Sequence, residues 1–506
     1  MARNRNAALV AAGIAISRVF GVVRQRVFSN YFGLDVAADA WGAAFRIPNF
    51  LQNLFGEGVL SASFIPVYAR LLAQKDEKEA GRVAGAVGAL LALVVSVVVL
   101  AGVLATPLLI DVIAPGFEGE PRELTIRLVR ILFPGAGLLV LSAWCLGILN
   151  SHRKFFLSYT APVVWNIAMI ATLVIYGGRM DVNALAVALA WGSVAGSALM
   201  FLVQLPAVLR YAPRIRAGWS EHAREVTRNF GPVFVSRGVV QISAFIDMLL
   251  ATYLGQGAVA GLTAAQTLNV LPVSLFGMSV SAAELPEMSS ALGDHGYLNR
   301  RLSAGLRQIA FFIVPSAMAF LALGDVVTAG LFQTGRFSGQ DSRYVWAILA
   351  GSAVGLLATT LGRLYSSTYY ALRDTRTPLK FAIVRVILTT GLGYLCALPL
   401  GWGVPGLTAS AGVAGWVEFT LLRRSLNRRI GATGLPVSLV VRLWASAAVA
   451  AAAGWGVKLA VGMGRPVYLH AAAILGVYGM VYFGLTYALG IDECRRLLGR
   501  FSRSSR

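Results

Sequence analysis

Residues 83–110 read VAGAVGALLALVVSVVVLAGVLATPLLI, without one charged side chain. Wound as a helix at about 1.5 Å per residue, that run exceeds the roughly 30 Å hydrocarbon core of a bilayer. Arg70, Lys75, Lys78 and Arg82 precede it, and Asp111, Glu118 and Glu120 follow it. Runs of the same kind recur from end to end of the 506-residue chain, which is 57% hydrophobic and only 13% charged. A soluble protein carries roughly 25% charged residues, so that class is excluded. Breaks at charged or Gly/Pro connectors predict helices over 7–30, 37–70, 83–110, 124–150, 158–178, 183–210, 226–254, 259–291, 302–332, 343–371, 379–399, 404–427, 437–463 and 467–490. The expected fold is an all-α polytopic membrane protein of about fourteen spans. Arg18 interrupts the first apolar stretch, which reads as a retained span rather than a signal peptide.

The connectors carry the orientation. Those after even-numbered spans hold Arg70, Lys75, Lys78 and Arg82; Arg153 and Lys154; Arg210, Arg214, Arg216, Arg224 and Arg228; Arg300 and Arg301; Arg373, Arg376 and Lys380; and Arg423, Arg424, Arg428 and Arg429. The tail adds Arg495, Arg496, Arg500 and Arg503, whereas connectors after odd-numbered spans hold acids such as Asp35, Asp111, Glu118, Glu120 and Asp181. Basic loops stay inside, so both termini are expected in the cytoplasm. The net charge of +21 is then largely a topogenic signal, and nucleic-acid binding is not expected.

A weak internal repeat is visible. Residues 54–66 read LFGEGVLSASFIP and 274–286 read SLFGMSVSAAELP, with Pro66 and Pro286 at matching ends of the two stretches. Pro162 and Pro378 both follow basic connectors, at nearly the same separation along the chain as that first pair. The simplest division is a lobe over 1–215 (spans 1–6), a lobe over 216–430 (spans 7–12), two further spans over 431–490 and a basic tail over 491–506. An even number of spans per lobe makes the repeat parallel.

Charges inside the spans mark the candidate site, because each costs roughly 2.5–3.5 kcal/mol at mid-bilayer. Span 1 carries Arg18, Arg24 and Arg26 around Gly21. A straight helix would not aim all three at one point, so a break near Gly21 or a wide cavity is expected. On span 2, Asp39, Arg46, Asn49, Asn53 and Glu57 fall within an arc of about 80°, with Pro48 as the kink. On span 8, Thr263, Gln266, Thr267, Ser274, Gly277, Ser281 and Glu284 lie within about 100°, with Pro272 as the kink. Span 7 adds Arg237, Gln241 and Asp247. Two polar, proline-broken helices in corresponding positions fit a hydrophilic cavity between lobes; the plainer reading is internal pairing that holds helices together. Unmatched arginines on span 1 favour an anionic ligand.

The sequence resembles the MurJ (MviN) family of lipid II flippases, within the multidrug/oligosaccharidyl-lipid/polysaccharide exporter superfamily. The likeness is carried by Ser17-Arg18-Val19-Phe20-Gly21, Arg24, Asp39-Ala40, Phe45-Arg46-Ile47-Pro48-Asn49, Glu57-Gly58 and Phe64-Ile65-Pro66. It continues through Ala114-Pro115-Gly116-Phe117, Leu149-Asn150, Ala161-Pro162, Asn166, Gln204-Leu205-Pro206 and 374–378. The resemblance implies two lobes around a cationic cavity for a pyrophosphate-sugar-peptide headgroup, and a groove for the polyprenyl tail formed with the last two helices. It matches Arg18 and Arg24 to headgroup-binding arginines, and Asp39, Arg46, Asn49 and Glu57 to polar cavity positions. It departs at Gln52, followed by Asn53, where the family often has arginine. It departs again on span 8, where Thr267 stands for an arginine and Gln266 and Val270 for acids. Arg26, Arg237 or Arg385 could compensate. Asp247 matches a position that helps bind sodium in some members, and Arg385 is expected opposite it. Asp247, Glu284 and Arg385 are therefore candidates for an ion or ion-pair site.

The expected function is transfer of lipid II from the cytoplasmic to the outer leaflet of the bacterial inner membrane. The protein is expected to act as a monomer, driven by the membrane potential or an ion gradient. The alternatives are a flippase for another polyprenyl-linked glycan and a non-transporting scaffold of the same fold. A basic first span disfavours export of cationic drugs. No Walker A, HExxH or metal-ligand spacing points to an enzyme, and no cofactor or metal is expected. Cys145, Cys396 and Cys494 have no disulfide or metal pattern.

Overall fold

The computed structural model describes residues 2–212, 221–289, 294–460 and 466–497; at 2–12, 14–15, 56–59, 61–62, 155, 229, 231–244, 282, 286 and 289 it describes the backbone alone. Arg214, Arg216, Arg500, Arg503 and the expected lobe boundary at 215 lie outside the described residues. The helices are α1 (Ala2–Phe32), α2 (Val36–Gln52), α3 (Ser61–Ala73), α4 (Glu77–Leu104), α5 (Thr106–Ile113), α6 (Glu120–Ser151), α7 (Phe155–Tyr176), α8 (Val182–Leu209) and α9 (Glu221–Thr252). They continue as α10 (Ala258–Pro272), α11 (Ser279–Ser289), α12 (His295–Ala322), α13 (Gly324–Phe332), α14 (Gly339–Ala371), α15 (Arg376–Ala397), α16 (Gly403–Ile430), α17 (Val437–Ala460) and α18 (Val467–Ala488). Wider π-helical turns over Asn53–Leu60 and Val273–Met278 join α2 to α3 and α10 to α11. Among the described residues ten helices are long and apolar enough to cross a membrane. With the π-joined pairs counted as single runs, the long helical runs are consistent with fourteen spans.

The repeat is legible element by element. Val36, Asn53, Ser61, Glu77, Thr106, Glu120, Phe155 and Val182 begin elements whose counterparts begin at Ala258, Val273, Ser279, His295, Gly324, Gly339, Arg376 and Gly403, at a nearly constant offset along the chain. Even the short α5 and α13 correspond. Local chemistry repeats with them. Asp76 caps α4 by accepting from Glu79 N–H at 3.0 Å, and Asp294 caps α12 by accepting from Tyr297 N–H at 2.8 Å. Arg153 and Arg373, equivalent in the repeat, both take left-handed backbone (φ 59°) to end α6 and α14.

By contacts the chain divides into two compact units, Met1–Ala260 and Gly261–Arg506. The first is built around α6, whose Leu132, Leu139 and Trp144 are fully enclosed by α2, α4 and α8. The second is built around the corresponding helix α14, with Ile348, Tyr365 and Tyr369 buried against α12 and α16. Gly355 lets α14 and α16 touch backbone to backbone: a Cβ there would lie 2.3 Å from the Cα of Gly412. The contact boundary falls one helix later than the boundary expected near 215. Although α9 is the counterpart of α1, it packs on α3, α4 and the first π-turn. Arg70 to Glu225 (2.5 Å) and His222 to Glu79 (3.6 Å) tie it there.

In the second unit α17 and α18 form a hairpin, α17 against α12 and α18 against α13. Pro315 inside α12 has no N–H to give the carbonyl of Phe311. The Tyr482 hydroxyl of α18 donates to that carbonyl at 2.7 Å, and the Tyr478 hydroxyl donates to the Pro315 carbonyl at 2.7 Å.

Candidate functional site

α1 runs unbroken from Ala2 to Phe32, so the break expected near Gly21 is absent. Instead the space beside Gly21 is open: a Cβ there would meet nothing within 4 Å. Arg18 is exposed on this helix, and Arg24, nearly two turns further on, is half-buried. The Arg24 guanidinium lies 5.2 Å from the ring centre of Phe45 and 6.0 Å from that of Trp165. Those rings stack on each other at 5.4 Å, and Phe45 stacks on Trp41 at 5.0 Å. Trp41 and Phe45 stand one turn apart on α2, so the helix itself sets their stagger. Trp165 on α7 is locked in turn, its indole N–H donating to the carbonyl and the hydroxyl of Ser193 on α8, both at 3.1 Å. Among the described residues no carboxylate lies at ion-pair distance from Arg18 or Arg24. Arg24 is thus a guanidinium seated on a rigid aromatic face, with no matching carboxylate among the described residues.

The other candidates of the first unit differ in what they meet. Arg46 lies within electrostatic reach of Asp247 on α9, which brings two of them together. Asn49 donates to the Phe45 carbonyl at 3.1 Å, Gln52 is half-buried and Asn53 is exposed at the start of the π-turn. Arg26 is half-buried. Asp39 is 3% exposed and accepts from the backbone N–H groups of Gly257 (2.6 Å) and Ala260 (2.8 Å). Both its oxygens are occupied, so it holds the turn after α9 rather than meeting a ligand. The side chains of Glu57, Arg237 and Gln241 lie outside the described residues.

In the second unit Thr267 donates back to the Thr263 carbonyl at 2.9 Å, and Gln266 is half-buried. Glu284 pairs with Arg301 at 2.9 Å. Arg385, expected opposite Asp247, is paired with Glu418 on α16 at 3.2 Å. The three expected ion-site residues therefore each have their own neighbour. An apolar groove of about 370 Å³ opens between α10, α12 and α18, lined by Leu271, Phe276, Phe312, Pro315, Tyr478 and Tyr482. Among the described residues no group of three or more His, Cys, Asp or Glu side chains is placed to hold a metal.

The family model for the lipid II flippase MurJ matches residues 28–471. The chain belongs to the MurJ family. A lipid II flippase MurJ of Burkholderia cenocepacia is 32% identical over 82% of each chain. A probable lipid II flippase MurJ of Bdellovibrio bacteriovorus is 30% identical over 97% of this chain and 96% of its own. Among solved structures, a lipid II flippase MurJ in an inward closed conformation superposes with a TM-score of 0.81 at 23% identity, covering 96% of this chain and 99% of that one. An inward-facing multidrug transporter of the MATE family superposes with a TM-score of 0.70 at 19% identity, over 84% of this chain and 98% of that one. The chain is thus a multi-pass membrane protein with the MurJ fold. Sequence reasoning had Arg24 but missed Trp165 and the role of Phe45. The spacing of Trp41 and Phe45, one turn apart on a polar helix, was the available signal. It also missed Arg301 and Glu418, the partners of Glu284 and Arg385.

Proposed function

We propose that this chain is the flippase for lipid II, the polyprenyl-pyrophosphate-linked peptidoglycan precursor, moving it from the cytoplasmic to the outer leaflet by alternating access. Membership of the MurJ family and the names of its relatives support this reading. The observation that carries it is Arg24, held face-on by Phe45 and Trp165 with no carboxylate to neutralise it among the described residues. A planar guanidinium with free donors matches pyrophosphate oxygens. Arg18, six residues earlier on the same unbroken helix and about 120° around it, is exposed and offers a second fork to a headgroup broad enough to reach both faces. Asn53, Gln52 and Arg46 supply further polar contacts along α2, with Asp247 tempering the charge of Arg46. Within the second unit, the apolar groove lined by Phe276, Phe312 and Tyr482 offers a bed for part of a polyprenyl tail. The protein works as a monomer in the bacterial inner membrane with both termini in the cytoplasm, and breaks no covalent bond. An interior-negative potential, worth about 2.3 kcal/mol per charge per 100 mV, favours outward movement of the anionic cargo and inward return of the empty cationic site.

The test is complementation of a flippase-depleted strain alongside binding in nanodiscs. Arg24→Ala and Arg18→Ala should reach the membrane at normal levels, fail to support growth, and bind lipid II at least about tenfold more weakly. Growth of both variants at the wild-type rate would remove the assigned roles. Tighter binding of a different polyprenyl-pyrophosphate glycan than of lipid II would reassign the cargo.

A further inference from the structure

The Arg385–Glu418 pair of Gly261–Arg506 has a third charged neighbour, Arg363, that the proposed headgroup site does not use. Arg385 on α15 is 3.2 Å from Glu418 on α16, and Arg363 on α14 is within electrostatic reach of both. Among the described residues Arg363 has no carboxylate at ion-pair distance. Two guanidinium groups therefore share one carboxylate, leaving one net positive charge. The three residues also share a level. Counted from the helix ends that carry the basic connectors, at about 1.5 Å per residue, Arg363 lies roughly 12 Å from Ala371, Arg385 roughly 13.5 Å from Arg376 and Glu418 roughly 18 Å from Ile430.

An unmatched cation inside a membrane helix is costly unless water or an anion meets it. Here the approach is open from the cationic side: Arg363 is exposed and the Arg385 side chain is 40% exposed, whereas Glu418 is 14% exposed. The carboxylate is sunk behind the arginines and orients one of them. Forked N–H donors in front and a single counter-charge behind suit a tetrahedral oxyanion. Each lies nearer the basic-connector end of its helix than the far end, but roughly 12–18 Å in, so a phosphate has to be drawn below the headgroup plane to meet them.

We propose that Arg363 and Arg385, backed by Glu418, form a second anion site that takes the phosphate group of a membrane lipid, separate from the Arg24 site in the other unit. The proposal stands whether or not the cargo is lipid II, because an anionic phospholipid and a polyprenyl phosphate present the same chemistry.

The experiment is native mass spectrometry of the full chain released from nanodiscs, titrated with phosphatidylglycerol, with lipid II, or with diacylglycerol as an uncharged control. Arg363→Gln should weaken binding of at least one phosphate lipid about tenfold and leave diacylglycerol unchanged. Glu418→Gln removes the internal counter-charge and should strengthen the same binding severalfold, a gain that misfolding cannot imitate. A change confined to phosphatidylglycerol identifies a resident lipid, and one confined to lipid II identifies the cargo; either supports the site. Unchanged affinities in Arg363→Gln protein that melts at the wild-type temperature, or weaker binding by Glu418→Gln, would overturn it.

Discussion

At the scale of single residues, the chemistry turns on what each buried polar group finds to face. Arg24 faces rings. A cation over an aromatic face is worth about 0.5–2 kcal/mol, less than the roughly 2.5–3.5 kcal/mol that a mid-membrane charge costs. Phe45 and Trp165 therefore orient the guanidinium without satisfying it, and among the described residues no carboxylate does so either. Asp39 faces backbone N–H groups and is satisfied. The Phe311 carbonyl faces the Tyr482 hydroxyl because Pro315 has taken its helical donor away. Tyr482→Phe should therefore orphan a buried carbonyl and cost about 1–3 kcal/mol. Tyr478→Phe should cost less, since the Pro315 carbonyl has the N–H of Ala319 in helical register. Thermal unfolding of the two variants in detergent checks the order, and equal losses would refute the proline argument. Of these residues the sequence showed Arg24 and Asp39 as charges in apolar helices, but a helical wheel gives a direction and not a partner. The same arc that held Asp39 with Arg46 and Asn49 could not reveal the turn at Gly257 that consumes it.

At the scale of elements, proline and aspartate do most of the punctuation. Pro48 and Pro272 were legible as kinks, and each precedes a π-helical turn, the first beginning at Asn53 and the second at Val273. The widening of the helix there was not legible, because π-turns have no composition of their own and arise when a helix accommodates an extra residue. The turn from α14 to α15 is set by Asp374. One of its carboxylate oxygens accepts from Arg376 N–H and Thr377 N–H, both at 3.0 Å, and the other from the Thr377 hydroxyl and Arg429, both at 2.7 Å. Slight burial raises its pKa, but these donors and the Arg429 charge outweigh that and hold it down at about 2, below the ordinary 3.8. A carboxyl whose folded pKa is depressed contributes stability above its unfolded pKa and loses it as pH falls through the folded value. The wild type should accordingly melt above Asp374→Asn by a constant margin from about pH 8 to pH 5, and the margin should shrink below about pH 4. A margin that widens on acidification, or none at neutral pH, would show that the carboxylate does not hold this turn.

At the scale of the whole molecule, the helices and the repeat of their order were legible because a bilayer leaves backbone few options and apolar runs record them. What was not legible was which unit claims α9, since that depends on side-chain matches such as Arg70 with Glu225 and the T-shaped contact of Phe50 with Phe245 at 5.2 Å. The orientation rests on the alternation of basic and acidic connectors, and it makes a prediction that no packing argument supplies. Lys154 and Lys78 are exposed in connectors after even-numbered spans, and Glu118 is exposed in one after an odd-numbered span. Cysteines at 78 and 154 should resist a membrane-impermeant thiol reagent in intact cells and react once the membrane is opened, whereas Glu118→Cys should react at once. The native cysteines set the background. Cys145 and Cys494 are buried, but Cys396 is half-exposed at the end of α15, which the same alternation assigns to the Glu118 side, so it must first be replaced by serine. Labelling of Lys154→Cys in sealed cells, with Glu118→Cys silent, would invert the molecule. Arg363 and Arg385 would then lie nearer the outer leaflet than the cytoplasmic one, and a lipid phosphate would have to reach them from that side.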